Sequence, residues 1–412
     1  MKVMLVNPKF PYKGRDRFPL GLAYIAAVLE NLDGIEKIEI ADESVGEDAK
    51  ERIKKREPDV VCITSTTPSF ERAMEIARFC RERGIKVVFG GVHATFCPEQ
   101  VLEVADVVVR GEGERTAEEL FSGKPLKGIR GISWIENGKV FHNLPRELEE
   151  NLDSLPLPAY ELFPLEKYGM MSLVTSRGCF YNCSYCCATR FWGRKVRFHS
   201  VERVLLEMEL IQNLGFKLVK IHDSTFTLDR ERVLKICEGM VERGIDLRWS
   251  CETRADHLDY EMLRKMKRAG CSLICMGIDS ASEDVLRKNK RFFNLEYAKR
   301  VFGWCRELGI KTRAYLVFGL EGETEKSVRK TLEYLKEIRP DQIMLSLATA
   351  YPGTELYSGR KINLDPSWVA KFEGHGRGAE LYLPSSLTEE EYRKLADYMW
   401  KEVKEFKRKR VL

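Results

Sequence analysis

Short apolar runs alternate with amphipathic stretches along most of the chain. Met4 to Asn7, Ile35 to Ala41, Val60 to Ser65, Lys86 to Phe89 and Val107 to Val109 read as buried strands, and Leu20 to Asn31 and Phe70 to Arg83 as helices. Strands that are apolar throughout are covered on both faces, which predicts a parallel, doubly wound sheet over residues 1–121. Such sheets bind ligands at the carboxyl ends of their strands. There the chain places Ser65, Thr66 and Thr67, then Gly90, Gly91 and His93, then Gly111, Glu112, Gly113 and Glu114. Glycine lets backbone approach a ligand, and hydroxyls supply hydrogen bonds.

Residues 122–168 interrupt the alternation. Asn137-Gly138 between two apolar runs predicts a two-residue hairpin, and Leu155-Pro156-Leu157-Pro158 breaks regular structure. The stretch reads as a connector. A second alternation of longer period follows over 169–364, with strands at Met171 to Thr175, Leu218 to His222, Arg248 to Glu252, Leu273 to Gly277, Thr312 to Val317 and Gln342 to Ala348. Residues 365–412 close the chain with a loop and a helix from Thr388, which Thr388-Glu389-Glu390-Glu391 caps and charges favourably. Tyr392, Leu395, Met399, Val403 and Phe406 give that helix one apolar face. The loop Gly374-His375-Gly376-Arg377-Gly378 is a candidate substrate-shaping lid, or an ordinary glycine-rich loop.

The 412 residues, 44% hydrophobic and 32% charged, suffice for two or more domains with sizeable cores. No charged-then-apolar segment follows Met1 and no apolar run reaches about eighteen residues, so neither export nor a membrane span is expected. A net charge of +5 is small for this length and does not suggest nucleic acid as a partner. Gln is scarce beside abundant Lys, Arg and Glu, a bias that suits a heat-adapted protein.

The chemistry is concentrated at Gly178-Cys-Phe-Tyr-Asn-Cys-Ser-Tyr-Cys-Cys187. Cys179, Cys183 and Cys186 are spaced C-x3-C-x2-C, directly after the first strand of the second alternation. Four cysteines ordinarily hold a four-iron cluster, so three leave one iron open. The same thiolates could form most of a zinc site, but no second cysteine or histidine pair at finger spacing follows. Cys187 reads as a small buried hydrophobe, and the remaining cysteines, scattered through apolar runs, as core thiols of a reducing cytoplasmic compartment.

The cysteine spacing, with Tyr185 before the third cysteine, resembles the radical S-adenosylmethionine (SAM) superfamily. The first domain is similar to the cobalamin-binding domain of cobalamin-dependent radical SAM enzymes, through Asn7-Pro8, Phe18 to Ala26, Gly90-Gly91-Val92-His93-Ala94-Thr95 and Gly111-Glu112-Gly113-Glu114. The resemblance implies an α/β chain: a Rossmann-like cobalamin-binding domain, a partial (β/α)6 barrel and a small C-terminal helical region. It implies a [4Fe-4S] cluster on Cys179, Cys183 and Cys186, SAM beside Tyr185, Glu252, Arg254, Asp279 and Ser280, and cobalamin beside Ser65, Thr66, Thr67, Gly90, Gly91, His93, Gly111, Glu112 and Glu114. For Glu252 and Arg254 a structural ion pair is the competing reading, and Asp279 stands where relatives commonly have glutamate. His222-Asp223-Ser224-Thr225 replaces a more frequent acidic pair, with His222 as proton donor or rim filler. Gly319 to Thr324 and Tyr351 to Thr354 resemble two further landmarks that line the cavity. The connector is then either a spacer or the element that holds two cofactors face to face.

One departure bears on cobalt. Where relatives that bind it through histidine carry D-x-H-x-x-G, this chain has Asp42-Glu43-Ser44-Val45-Gly46, so the lower face of cobalt is expected to be open or left to water, with His93 as an outside candidate. The implied reaction is SAM cleavage by the reduced cluster, hydrogen abstraction by the 5′-deoxyadenosyl radical and methyl transfer from methylcobalamin to an unactivated carbon. It requires an external electron donor. The acceptor is a peptide or protein, such as archaeal methyl-coenzyme M reductase, or a small molecule. A cobalamin-dependent cyclase, a cobalamin sensor or carrier and a tRNA-modifying enzyme are the competing readings.

Overall fold

The computed structural model describes residues 1–11, 18–372 and 379–408, and the glycine-rich loop at 374–378 lies outside them. The chain divides into two compact units, Met1–Ser172 and Leu173–Leu412.

The first unit runs β1 (Lys2–Asn7), α1 (Leu20–Glu30), β2 (Lys37–Asp42), α2 (Ala49–Arg56), β3 (Val60–Thr64), α3 (Phe70–Arg81), β4 (Lys86–Gly90), α4 (Val92–Phe96), α5 (Pro98–Leu102), β5 (Val107–Val109), α6 (Glu114–Phe121), β6 (Ile132–Glu136) and β7 (Lys139–His142). The sheet order is β2-β1-β3-β4-β5-β6-β7. β1 to β5 pair in parallel, as the apolar strands require, while β5, β6 and β7 pair antiparallel. The Asn137-Gly138 hairpin therefore extends this sheet, with Asn137 at φ 51° and Gly138 at φ 74°. Met4, Val6, Val61, Ile63, Val87, Phe89 and Val108 form its core with residues of α3.

The second unit runs β8 (Met171–Leu173), β9 (Ser176–Arg177), α7 (Ala188–Trp192), β10 (Arg197–Phe198), α8 (Val201–Asn213), β11 (Leu218–Ile221), α9 (Arg230–Glu242), β12 (Arg248–Thr253), α10 (Tyr260–Arg268), β13 (Cys271–Asp279), α11 (Glu283–Lys288), α12 (Leu295–Glu307), β14 (Lys311–Phe318), α13 (Glu325–Ile338) and β15 (Gln342–Leu347). β16 (Lys361–Ile362), α14 (Pro366–Val369), β17 (Leu381–Tyr382) and α15 (Glu389–Arg408) complete it. Six strands form a sheet in the order β15-β14-β13-β12-β11-β8, with β11 to β15 parallel. The strand expected over 171–175 ends early: β8 stops at Leu173, and Ser176 and Arg177 pair instead with Phe198 and Arg197.

The face of α15 packs as predicted at three of its five positions, while Leu395 and Phe406 are only half-buried and Ala396 joins the buried set. Tyr392, Ala396, Met399 and Val403 are buried, and the Tyr392 ring fills the space a side chain would need at Gly319. Among the described residues no helix is long and apolar enough to cross a membrane.

Candidate active site

The cysteine loop is fastened at both ends and in the middle. Gly178 adopts φ 110°, and a Cβ there would lie 2.2 Å from the Lys195 carbonyl oxygen, so this position demands glycine. The Cys179 amide donates to Gly193 O (3.2 Å), and Thr189 Oγ1 donates to Tyr181 O (2.6 Å). Between the second and third cysteines, Ser184 donates from its amide to Asn289 O (3.2 Å) and from Oγ to Asn289 Oδ1 (2.9 Å), and its carbonyl accepts from the Glu355 amide (2.9 Å). Upstream, buried Asp223 accepts from the Thr175 amide (2.6 Å), Thr175 Oγ1 (2.6 Å) and Ser176 Oγ (2.7 Å), which fixes the backbone entering the loop. Burial raises the Asp223 pKa, and those donors oppose the rise.

The thiols sit where a soft metal centre would complete them. Burial raises the Cys179 and Cys183 pKa values, whereas the Arg254 and Arg291 guanidiniums act on both in the opposite sense. Crowding by protein atoms pushes the Cys186 thiol up to about 12, though the residue as a whole is exposed, and the charges of Cys187, Cys183 and Cys179 reinforce the shift. Thiolate is the ligating form, so metal binding must draw these protons off, and the two arginines offset the negative charge that results. Among the described residues no three His, Cys, Asp or Glu side chains form a cage for a single metal ion. Cys187 is only half-buried, as is Cys97, so neither is the fully buried core thiol expected.

Beside the loop, the Tyr185 hydroxyl donates to Asp279 Oδ2 (2.8 Å), and the same oxygen pairs with Arg291 Nε (2.9 Å). Arg291 Nη2 donates to Gly277 O (2.6 Å). Asp279 sits at the irregular end of β13 with φ 62°, a conformation aspartate tolerates better than most residues. Arg254 is buried, lies 3.7 Å over the Tyr181 ring, pairs with Asp256 (2.9 and 2.6 Å) and donates to the Phe292 carbonyl. Its Nη1 is buried without a partner, a donor positioned to take an anionic group. Glu252 Oε1 receives Lys220 Nζ (2.7 Å) and the Tyr315 hydroxyl (3.1 Å). Ser280 turns into local structure: its Oγ accepts from the Ser282 amide (3.2 Å) and contacts Thr331 Oγ1 (3.3 Å).

In the first unit the strand ends pack closely on one another. Gly91 adopts φ 95°, and a Cβ there would meet Ser65 O at 2.6 Å and Ser65 N at 2.9 Å. Ser65 Oγ is buried without a partner. Thr66 caps the turn to α3 through Ser69, with contacts of 3.1 and 3.2 Å. Gly90 O receives the Ser65 amide (3.1 Å). The Gly111 amide donates to Thr95 Oγ1 (2.9 Å), and Glu112 Oε2 accepts from the Glu149 amide (2.9 Å). Glu114 is buried in the first turn of α6. His93 is buried, stacked on Phe70 (3.9 Å) and held through Nδ1 to Thr67 Oγ1 (3.0 Å) and through Nε2 to Gln100 Oε1 (3.2 Å). Both ring nitrogens are engaged, so this rotamer offers no metal ligand. At the end of β2, buried Asp42 accepts from Asn7 Nδ2 (2.8 Å), the Ser44 amide (2.8 Å) and the Tyr168 hydroxyl (2.5 Å).

The B12 binding domain family matches residues 14–121 and the radical SAM superfamily matches residues 173–365. An uncharacterized methyltransferase of Pyrococcus horikoshii, PH0819, is 34% identical over 378 residues, covering 87% of this chain and 82% of its own length. This chain belongs to the cobalamin-dependent radical SAM enzymes. The anaerobic magnesium-protoporphyrin IX monomethyl ester cyclase of Rubrivivax gelatinosus is 27% identical, over 87% of this chain and 69% of its own. The methyltransferase TsrM from Kitasatospora setae shares the fold, with a TM-score of 0.79 and 21% identity over 97% of this chain and 88% of that one.

A cobalamin-dependent radical SAM enzyme uses a [4Fe-4S] cluster, SAM and cobalamin, and the residues present fit all three. The donor set on the cysteine loop is soft and electrostatically compensated, Arg254 keeps an unpaired buried donor, and Ser65 keeps an unpartnered buried hydroxyl at the strand ends of the first unit. Asn289, Arg291, Lys220 and Tyr315 are polar members of this site that the sequence did not single out. Asn289, Lys220 and Tyr315 have partners far along the chain, 105 residues away for Asn289 and Ser184, and Arg291 reaches back across a helix to Asp279, so no local spacing marks these pairs.

Proposed function

We propose that this enzyme is a C-methyltransferase acting on an unactivated carbon of a protein side chain, in a reducing cytoplasmic compartment. Support comes from the pairing of a cobalamin-type domain with an open three-cysteine loop in one chain, and from the similarity to PH0819 along most of both sequences. When bound, the three cofactors supply electron transfer, carbon-sulfur cleavage and a transferable methyl group. This chain's residues bind, orient and shield. Cys179, Cys183 and Cys186 hold three irons, and Ser184, Asn289 and Glu355 fix the loop that carries them. Arg254 Nη1 takes the SAM carboxylate, Tyr185 packs beside the third cysteine with its hydroxyl tied to Asp279, and Glu252, held by Lys220 and Tyr315, accepts from hydroxyls. Ser65, Thr66, Thr67, Gly90, Gly91, His93, Gly111, Glu112 and Glu114 line the cobalamin site. With His93 engaged elsewhere and Ser44 at the place of a histidine, neither position supplies an imidazole to cobalt.

The acceptor proposed is a large protein such as methyl-coenzyme M reductase. Incubating the anaerobically reconstituted enzyme with SAM, reductant and that protein tests this: a gain of one methyl group on one peptide is expected, and an unchanged mass sinks the acceptor assignment. A cyclase is the second reading, favoured by the similarity to the Rubrivivax gelatinosus enzyme, and a product without the added methyl would support it.

A further inference from the structure

The barrel holds one inward-facing cation that none of the described carboxylates matches. Along β14, Thr312, Ala314, Leu316 and Phe318 are buried, while Arg313, Tyr315 and Val317 are half-buried. Alternate residues of a strand face opposite sides. The buried set faces outward, where Phe318 meets Tyr392 of α15 at 4.9 Å between ring centroids, and the other set faces inward, where the Tyr315 hydroxyl donates to Glu252 Oε1 on β12 (3.1 Å). Strand register extends this inner row sideways: Glu252 stands opposite Cys275, Cys275 opposite Arg313, and Arg313 opposite Gln342.

The charges of this row do not balance. Glu252 is engaged by Lys220 Nζ (2.7 Å), and burial raises the Cys275 and Tyr315 pKa values, so both stay neutral near pH 7. Arg313 donates from Nε (2.7 Å) and from Nη2 to one uncharged acceptor, Gln342 Oε1. Among the described residues Arg313 Nη1 and Gln342 Nε2 donate to nothing, and no carboxylate pairs with Arg313. A guanidinium with free N–H groups beside an amide NH2 offers donors to both oxygens of a carboxylate, the planar anion that arginine matches best. Arg313 stands two strands from Glu252 on the same inner face, so a group held there lies inside the barrel and not on its outer wall.

We infer that Arg313 and Gln342 form an acceptor-binding subsite inside the barrel that takes a carboxylate carried by the acceptor. The inference rests on the proposed function in seating the acceptor in the barrel, and it adds the acceptor's chemical class, an acidic segment. The pairing is non-covalent. Gln342 orients the guanidinium by accepting from two of its nitrogens, which leaves the remaining donors for the ligand. An acidic acceptor is thereby told from its amide, because only the charged form neutralises the cation.

The test uses the anaerobically reconstituted enzyme with SAM, glutarate as the carboxylate probe and glutaramide as its uncharged counterpart. Calorimetry is expected to show glutarate bound more tightly than glutaramide, about tenfold more weakly in Arg313→Gln and in Gln342→Glu, and with part of the affinity restored in Arg313→Lys. Gln342→Glu places a carboxylate beside the guanidinium, so it should occupy the subsite from within and melt no lower than wild type. That variant keeps the answer readable if Arg313→Gln folds poorly. Equal glutarate affinity in wild type and in both variants, no glutarate binding by wild type, or a loss of SAM affinity in Arg313→Gln as large as the loss of glutarate affinity would overturn the inference, the last by giving the subsite to SAM. An unchanged mass of the acceptor protein would count against the proposed function instead, and glutarate binding would still decide the subsite.

Discussion

The Tyr185 hydroxyl lies 2.8 Å from Asp279 Oδ2, which joins the residue before the third cysteine to the end of a barrel strand 94 positions away. Asp279 also neutralises Arg291 at 2.9 Å, with both side chains 8% exposed. One carboxylate thus orients the cluster loop and compensates a buried cation.

Removing that carboxylate strands the cation. Asp279→Ala should cost about 3–5 kcal/mol, the scale for breaking a buried ion pair. Tyr185→Phe removes only one hydrogen bond and should cost about 1 kcal/mol. Chemical denaturation of the two variants checks the ranking, and a smaller loss for Asp279→Ala than for Tyr185→Phe would refute it.

Two glycines separate the cofactor sites. Gly178→Ala forces a Cβ to within 2.2 Å of Lys195 O and should prevent cluster assembly while cobalamin still binds. Gly91→Ala forces one to within 2.6 Å of Ser65 O and should abolish cobalamin binding while iron content is kept. Iron analysis and the cobalamin absorption spectrum read both, and joint loss in either variant would contradict the independence of the two sites.

His93 gives a spectroscopic test. With Nδ1 on Thr67 and Nε2 on Gln100, it should leave no nitrogen splitting in the electron paramagnetic resonance spectrum of the bound cobalt(II) form, and His93→Gln should match wild type. A nitrogen pattern present in wild type and absent from the variant would make His93 a ligand after all.

Glu323 supplies a pH dependence. Burial raises its pKa from 4.5 to about 7, opposed by hydrogen bonds from Ser327 and the Gly319 backbone. The folded value exceeds the unfolded one, so this contribution to stability is fully present below about pH 4.5 and is lost as pH rises through 7. The loss amounts to about 3 kcal/mol. Glu323→Gln should flatten the change in melting temperature between pH 5 and 8, and an unchanged slope would assign that change to other groups.

Most of the strands were legible because they are short, apolar and bounded by turn residues, whereas their order in each sheet was not read from the sequence. Helix α2 was not: in AKERIKKR only Ala49 and Ile53 are buried, too few to show a period. The cysteine triplet stood out because its ligands are local in sequence. Asp223 fell within a noted segment, but its grip on Thr175 and Ser176 depends on adjacent strand ends that only the folded barrel brings together. Arg291 and Asn289 follow a helix whose sequence carries no sign of what their side chains reach.

Cys179, Cys183 and Cys186 are proposed to hold the cluster that opens SAM in this cobalamin-dependent enzyme. The most direct measurement is 5′-deoxyadenosine formed by anaerobically reconstituted protein given SAM and dithionite, beside Cys183→Ala treated identically. The wild type should release 5′-deoxyadenosine and the variant none. A wild type with intact cluster that leaves SAM whole, or a variant that releases as much as wild type, would contradict the claim.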